Sequence, residues 1–147
     1  MQEPTGASPA IAILDTNVVL DWLVFRNPES VPLGSALESG RLRWVATREM
    51  RAELAHVLAR GHLAAWNPDL AILWAAWECH CEEVPAPAPA GPPGRLRCSD
   101  SDDQKFIDLA VARQAAWLLS KDRAVLRLAG RLRAHGIKVV QPAAWVG

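Results

Sequence analysis

Residues 10–17 read AIAILDTN, five small or branched apolar residues that end without a spacer in an aspartate, a threonine and an asparagine. An unbroken apolar run of this length suits a strand buried on both faces, since strands with one wet face alternate apolar with polar residues. Such a run usually leads into a neutral turn. The carboxylate of Asp15 at its mouth therefore calls for a chemical reason.

The segments downstream repeat the pattern. After the strand at 10–14, a short helix is predicted beyond Asn17 and another over 32–39, ended by Gly40. A strand at 42–46 runs into Thr47, a good N-cap for a helix reaching about Arg60, with Met50, Leu54, Val57 and Leu58 spaced for one buried face. Asn67 and Pro68 read as the cap and first residue of a helix over 69–80, followed by a short strand at 82–84. Ser101 and Gln104 have capping-box spacing and open a helix to about Ala115. A strand at 116–120, a helix over 122–135 ended by Gly136, and a strand at 138–140 complete the chain. Continuously apolar strands alternating with helices predict an α/β fold with a parallel sheet covered on both faces.

At 147 residues the chain is expected to form one domain, with residues 1–9 flexible and the proline-rich run 85–94 an exposed loop within it. Sixteen basic and sixteen acidic residues cancel, so no global basic field marks an obligate nucleic-acid binder, and any polyanion must be held locally. The N-terminus lacks a basic segment followed by a long apolar stretch, and no run approaches the roughly 20 apolar residues of a membrane span. The expectation is a soluble, cytoplasmic protein with no membrane partner. Cys79, Cys81 and Cys98 are odd in number and expected to be reduced thiols. Cys79-His80-Cys81 lacks the spacing of a zinc site.

In an open parallel sheet, ligands bind beyond the carboxyl ends of the strands. Asp15 and Asp122 both follow strands, and Asp100, Asp102 and Asp103 surround the start of the helix before the fourth strand. Glu53 falls within or against the apolar stripe of its helix. Each acid alone has a plainer reading: a turn or cap residue, a helix-dipole partner, or, for Glu53, an ion pair with Arg48 or Arg51. Taken together they would repel one another at one sheet edge unless a cation relieved them. Oxygen donors without histidine or cysteine favour Mg2+ or Mn2+, which acidify and orient water for displacement at phosphorus.

The strings LDTNVVLDWL, ELAHVL, DSDDQKFIDLA and LLSKDRAVL, in that order from about Ile11 to Val140, resemble the PIN-domain family, notably its branch of toxins from toxin–antitoxin pairs. The resemblance implies a three-layer α/β/α sandwich and a Mg2+- or Mn2+-dependent ribonuclease with one or two ions. By motif it places the four metal-holding acids at Asp15, Glu53, Asp103 and Asp122. It gives supporting roles to Thr16, Asn17, Asp100 and Ser120, and implies RNA as substrate, an antitoxin protein as partner and a homodimer. The sequence departs from the family at Lys121, where a glycine is common, and in its longer proline-rich loop.

Arg48, Arg51, Arg95, Arg97 and Arg123 are candidates to grip RNA phosphates, with Arg95 and Arg97 preferred because they follow the loop and precede the acids. Trp44, Trp74, Trp77 and Trp117 lie in apolar patterns and read as core, while Trp22 and Trp66 are expected to be partly exposed. Two other functions compete: a catalytically silent binding or regulatory module, and a phosphatase using Asp15 as nucleophile. The second lacks the acid that such enzymes need two residues on, where this chain has Asn17.

Overall fold

The computed structural model describes residues 9–88 and 96–146. Most of the N-terminal stretch expected to be flexible, residues 89–94 of the proline-rich loop, and Arg95 lie outside the described residues. Five parallel strands form one sheet: β1 (Ala10–Leu14), β2 (Leu42–Thr47), β3 (Cys81–Val84), β4 (Trp117–Leu119) and β5 (Lys138–Val140). The helices are α1 (Thr16–Leu23), α2 (Val31–Glu38), α3 (Arg48–Ala59), α4 (Leu70–His80), α5 (Gln104–Ala112), α6 (Arg123–Leu126) and α7 (Ala129–Arg133). Among the described residues, no helix is long and apolar enough to cross a membrane.

The strand order is β3-β2-β1-β4-β5. The chain moves outward from β1 to β3, crosses back over the sheet, and moves outward again from β4 to β5. Right-handed crossovers place α1–α4 on one face and α5–α7 on the other, which is the expected three-layer α/β/α sandwich. The direction of winding reverses between β1 and β4. Leu14 pairs in register with Leu119, and the Asp15 amide donates to the Leu119 carbonyl at 2.9 Å, so Asp15 and Ser120 emerge side by side at that reversal.

Four tryptophans fix the α1–α4 face. Trp44 of β2 meets Trp22 of α1 edge-on with ring centroids 5.4 Å apart, and meets Trp77 of α4 at 5.0 Å. Trp77 in turn meets Trp74 at 6.0 Å. Edge-to-face contacts of this kind set orientation as well as burying area. Trp22, expected to be partly exposed, is buried in this chain because α1 lays it between Trp44 and Gly34. Trp66 is exposed, and Trp74 and Trp117 are half-buried.

The predicted helix starts were right in place and sometimes wrong in mechanism. Thr47 caps α3 through Met50, as expected. Asn67 does not cap α4: its backbone is left-handed (φ 46°), and the Asp69 side chain accepts from the Ile72 amide at 3.1 Å. The Ser101–Gln104 capping box does not form either. Asp100 takes the cap of a short 3-10 turn (Ser101–Asp103), and Gln104 reaches back to the Leu96 carbonyl and Cys98 amide. The Gln104 amide satisfies an acceptor and a donor of that loop together, which commits it away from the Ser101 backbone. The helix expected over 122–135 is broken at Leu128, which turns inward and is buried.

Gly34 should resist substitution. Alanine favours helix by about 1 kcal/mol over glycine, yet a Cβ on Gly34 would lie 2.3 Å from the Trp22 indole nitrogen. Since Trp22 is wedged by Trp44, the clash outweighs the propensity gain. Gly34→Ala is expected to lower unfolding free energy by about 1–3 kcal/mol in a urea titration; a gain in stability would show that the tryptophan row is loose.

Candidate active site

The carboxyl ends of β1 and β4 flank the point where the winding reverses, the position at which open α/β sheets leave a crevice. Asp15 occupies the N-cap position of α1 with extended backbone, but its carboxylate completes no capping hydrogen bond. It accepts instead from the Ser120 hydroxyl, Oγ to Oδ2, at 2.7 Å. Ser120 is wholly buried and its Oγ also accepts from the Asp122 amide at 3.0 Å. One hydroxyl thus ties the acid after β1 to the acid after β4.

Burial is the main force raising the pKa of Asp15. The Ser120 bond and the nearby Asn17 amide oppose it, and the charges of Glu53 and Asp122 reinforce it. Thr16 is buried beside it, and the Asn17 side-chain Oδ1 is buried with no hydrogen-bond partner.

Asp100, Asp103 and Asp122 come closest together. One carboxylate oxygen from each lies within 4.8 Å of the other two. Asp100 and Asp122 also serve as caps, accepting from the Asp102 amide at 3.0 Å and the Ala124 amide at 2.9 Å. Asp103 makes no cap, is only 6% exposed, and its Oδ2 has no hydrogen-bond partner. Desolvation first, then the Asp122 carboxyl group beside it and the charges of Asp15, Asp122 and Asp100, push its pKa up to about 8. An unpartnered, buried acid among like charges fits a site for a divalent cation. Cys98 is buried nearby, where burial first and then the charges of Asp103, Asp100 and Asp122 raise its pKa, and it is not one of the three converging residues. The donors present are oxygens, as Mg2+ or Mn2+ would require.

Glu53, on α3, lies outside that three-oxygen group. Its charge acts on Asp15, so it faces the same crevice. Neither expected arginine pairs with it. Arg51 forks to Glu78 at 2.7 Å and Glu83 at 3.2 Å, with its guanidinium 5.0 Å from the Trp74 ring centroid, and so holds α3 to α4 and β3. Arg51 is therefore committed away from RNA. The partner of Glu53 is Lys105 of α5, whose Nζ makes an ionic contact with Oε1, although that oxygen accepts no hydrogen bond of ordinary geometry.

Arg48, Arg97 and Arg123 are exposed. Lys121, the departure from the family's glycine, pairs at 3.0 Å with Asp21, a buried acid of α1 that also accepts from Asn27 at 3.4 Å. Sequence reading missed both Lys105 and Asp21. Lys105 looked like an ordinary solvated helix charge, and Asp21 interrupts an apolar run four residues after Asn17 as many surface acids do. The only signal was chemical: a buried aspartate needs a cation.

A sequence model of the PIN domain matches residues 12–124, which spans all five acids. No curated protein and no solved structure matches the chain. PIN domains are generally nucleases that act on RNA and bind divalent metals. With the parallel sheet, the crevice between β1 and β4 and the match over most of its length, the chain belongs to the PIN domain family.

Proposed function

We propose that this protein is a Mg2+- or Mn2+-dependent endoribonuclease and the cytoplasmic toxin of a toxin–antitoxin pair. Asp103 carries the reading, because a buried carboxylate with a free oxygen has no structural use in this fold and a clear use as a ligand. In this proposal Asp103, Asp122 and Asp100 hold the ion, and Asp15 and Glu53 complete the acidic wall. When bound, the ion supplies an acidified water and neutralises charge on the phosphodiester.

The rest is done by the chain. Ser120 fixes Asp15 and Asp122 relative to each other, which sets the direction from which water reaches phosphorus. Thr16 and Asn17 shape the floor, with the unpartnered Asn17 Oδ1 available to a water proton. Water adds to phosphorus, the bond to one ribose oxygen breaks, and the water's proton balances the leaving oxygen without a covalent intermediate. Exposed Arg97 is proposed to bind an RNA phosphate, as is Arg95, which lies outside the described residues. A homodimer and a small antitoxin protein are proposed partners, and exposed Trp66, Leu70 and Ile72 around the start of α4 offer an apolar surface for a partner helix.

One observation favours the alternative of a catalytically silent module: Glu53 is already neutralised by Lys105. The deciding experiment is cleavage of a mixed RNA pool with Mn2+. Asp15→Asn and Asp103→Asn are each expected to lower turnover at least ~100-fold while the circular dichroism spectrum stays unchanged. No cleavage by wild type would leave the silent module as the better reading.

Stability gives an independent check. Asp103 has a folded pKa raised from 3.8 to about 8, so with chelator present its contribution is full below the unfolded value and is lost as pH rises through the folded one. Chelated wild type should therefore lose melting temperature between pH 4 and about 8, and Asp103→Asn should flatten that decline. Saturating Mn2+ should raise the wild-type melting temperature, since an ion at 100 times its Kd adds about 2.7 kcal/mol. Asp103→Asn should show little of that gain, and equal metal shifts in the two proteins would remove Asp103 from the site.

A further inference from the structure

The crevice already contains a positive charge. Lys105 lies on the first turn of α5, two residues beyond Asp103, and its ammonium meets Glu53 on α3 and the Asp102 carbonyl, 5.1 Å from the centroid of the Phe106 ring. Both side chains are largely withdrawn from solvent, at 21% and 29% exposure. The pair therefore bridges α3 and α5, which come from opposite faces of the sheet and meet at the mouth of the crevice.

The remaining acids are divided unequally around this pair. Asp100, Asp103 and Asp122 can converge on one ion, and among the described residues they form the sole such group. A second ion would have to draw on Asp15 and Glu53. Ser120 already holds Asp15 Oδ2, and Lys105 already faces Glu53 Oε1. We propose that the crevice takes one divalent ion and that Lys105, resting on Glu53, stands where a second ion would act and binds the phosphate of the RNA strand. A lysine ammonium is a compact point charge on a flexible stem, suited to move from a carboxylate to a nearby phosphate oxygen. This inference rests on the metal-dependent nuclease reading above and specifies its ion count and its phosphate ligand.

The test counts Mn2+ bound to the full chain at equilibrium, from the electron paramagnetic resonance signal of free ion, in wild type, Lys105→Arg and Lys105→Met. Wild type and Lys105→Arg should bind one ion, and Lys105→Met two, because Glu53 is then released to serve as a ligand. With Ca2+ in place of Mn2+, fluorescence anisotropy with a mixed-sequence RNA should show affinity reduced ~10-fold or more by Lys105→Met and largely kept by Lys105→Arg. Should Lys105→Met fail to fold, Glu53→Gln serves instead: it should keep one Mn2+ with affinity within ~3-fold of wild type, whereas loss of the ion would show that Glu53 is a ligand. Two ions in wild type, one in a folded Lys105→Met, or unchanged RNA affinity in that variant each overturn the inference. Absence of any bound Mn2+ in wild type would overturn the metal-dependent reading itself, and the inference with it.

Discussion

The hydrogen bond from Ser120 to Asp15 joins residues 105 positions apart, and the site depends on it. It forms because β1 and β4 are adjacent although far apart in sequence, and because their register sets Leu14 opposite Leu119. A slip of one residue in either strand would turn both side chains to opposite faces and separate them. The same hydroxyl receives the Asp122 amide, so the turn after β4 is shaped by the acid at the end of β1. A buried carboxylate with a donor aimed at it can remain in place while its neighbours repel it.

Repulsion is the other half of the design. Asp15 and Asp103 both have raised pKa values, for the same leading reason: they are taken out of water before any partner compensates them. Burial of this kind opposes folding in the absence of a cation. The chain limits the cost with local donors, using Asp100 and Asp122 as caps while they face the crevice, and with Lys105 on Glu53. Asp103 is left with one buried oxygen that neither a hydrogen-bond donor nor a cationic side chain satisfies. Natural chains keep such groups where function requires them, as local rules give way at sites.

The tryptophans explain how the sheet can hold this strain. Trp22, Trp44, Trp77 and Trp74 interlock on one face, and Trp117 meets Trp145 edge-on with centroids 6.1 Å apart at the far end of the sheet. They serve as rigid packing rather than as a platform for bases, with Trp66 the exposed exception. Arg51 belongs to the same scaffold through Trp74, Glu78 and Glu83. A guanidinium with two carboxylates and an aromatic ring has little left to offer a phosphate.

What the sequence determined by itself was local: β1 and β4 as unbroken apolar runs, though β3 (CEEV) is not one and its two glutamates are exposed, the Thr47 cap, and Asp15 and Asp122 just beyond strand ends. These follow from short-range periodicity and from the preference of ligands for the carboxyl ends of parallel strands. The family resemblance added which acids to group. Only the tertiary structure decided how those acids divide. It set Asp100 with Asp103 and Asp122, gave Asp15 to Ser120, and paired Glu53 with Lys105 rather than Arg48 or Arg51. It likewise chose Asp100 over Ser101 as a cap and buried Asp21 beneath Lys121. Each of these choices is a competition among several polar groups for one partner. Its outcome depends on distances of a few ångströms between segments that only strand order and helix packing bring together.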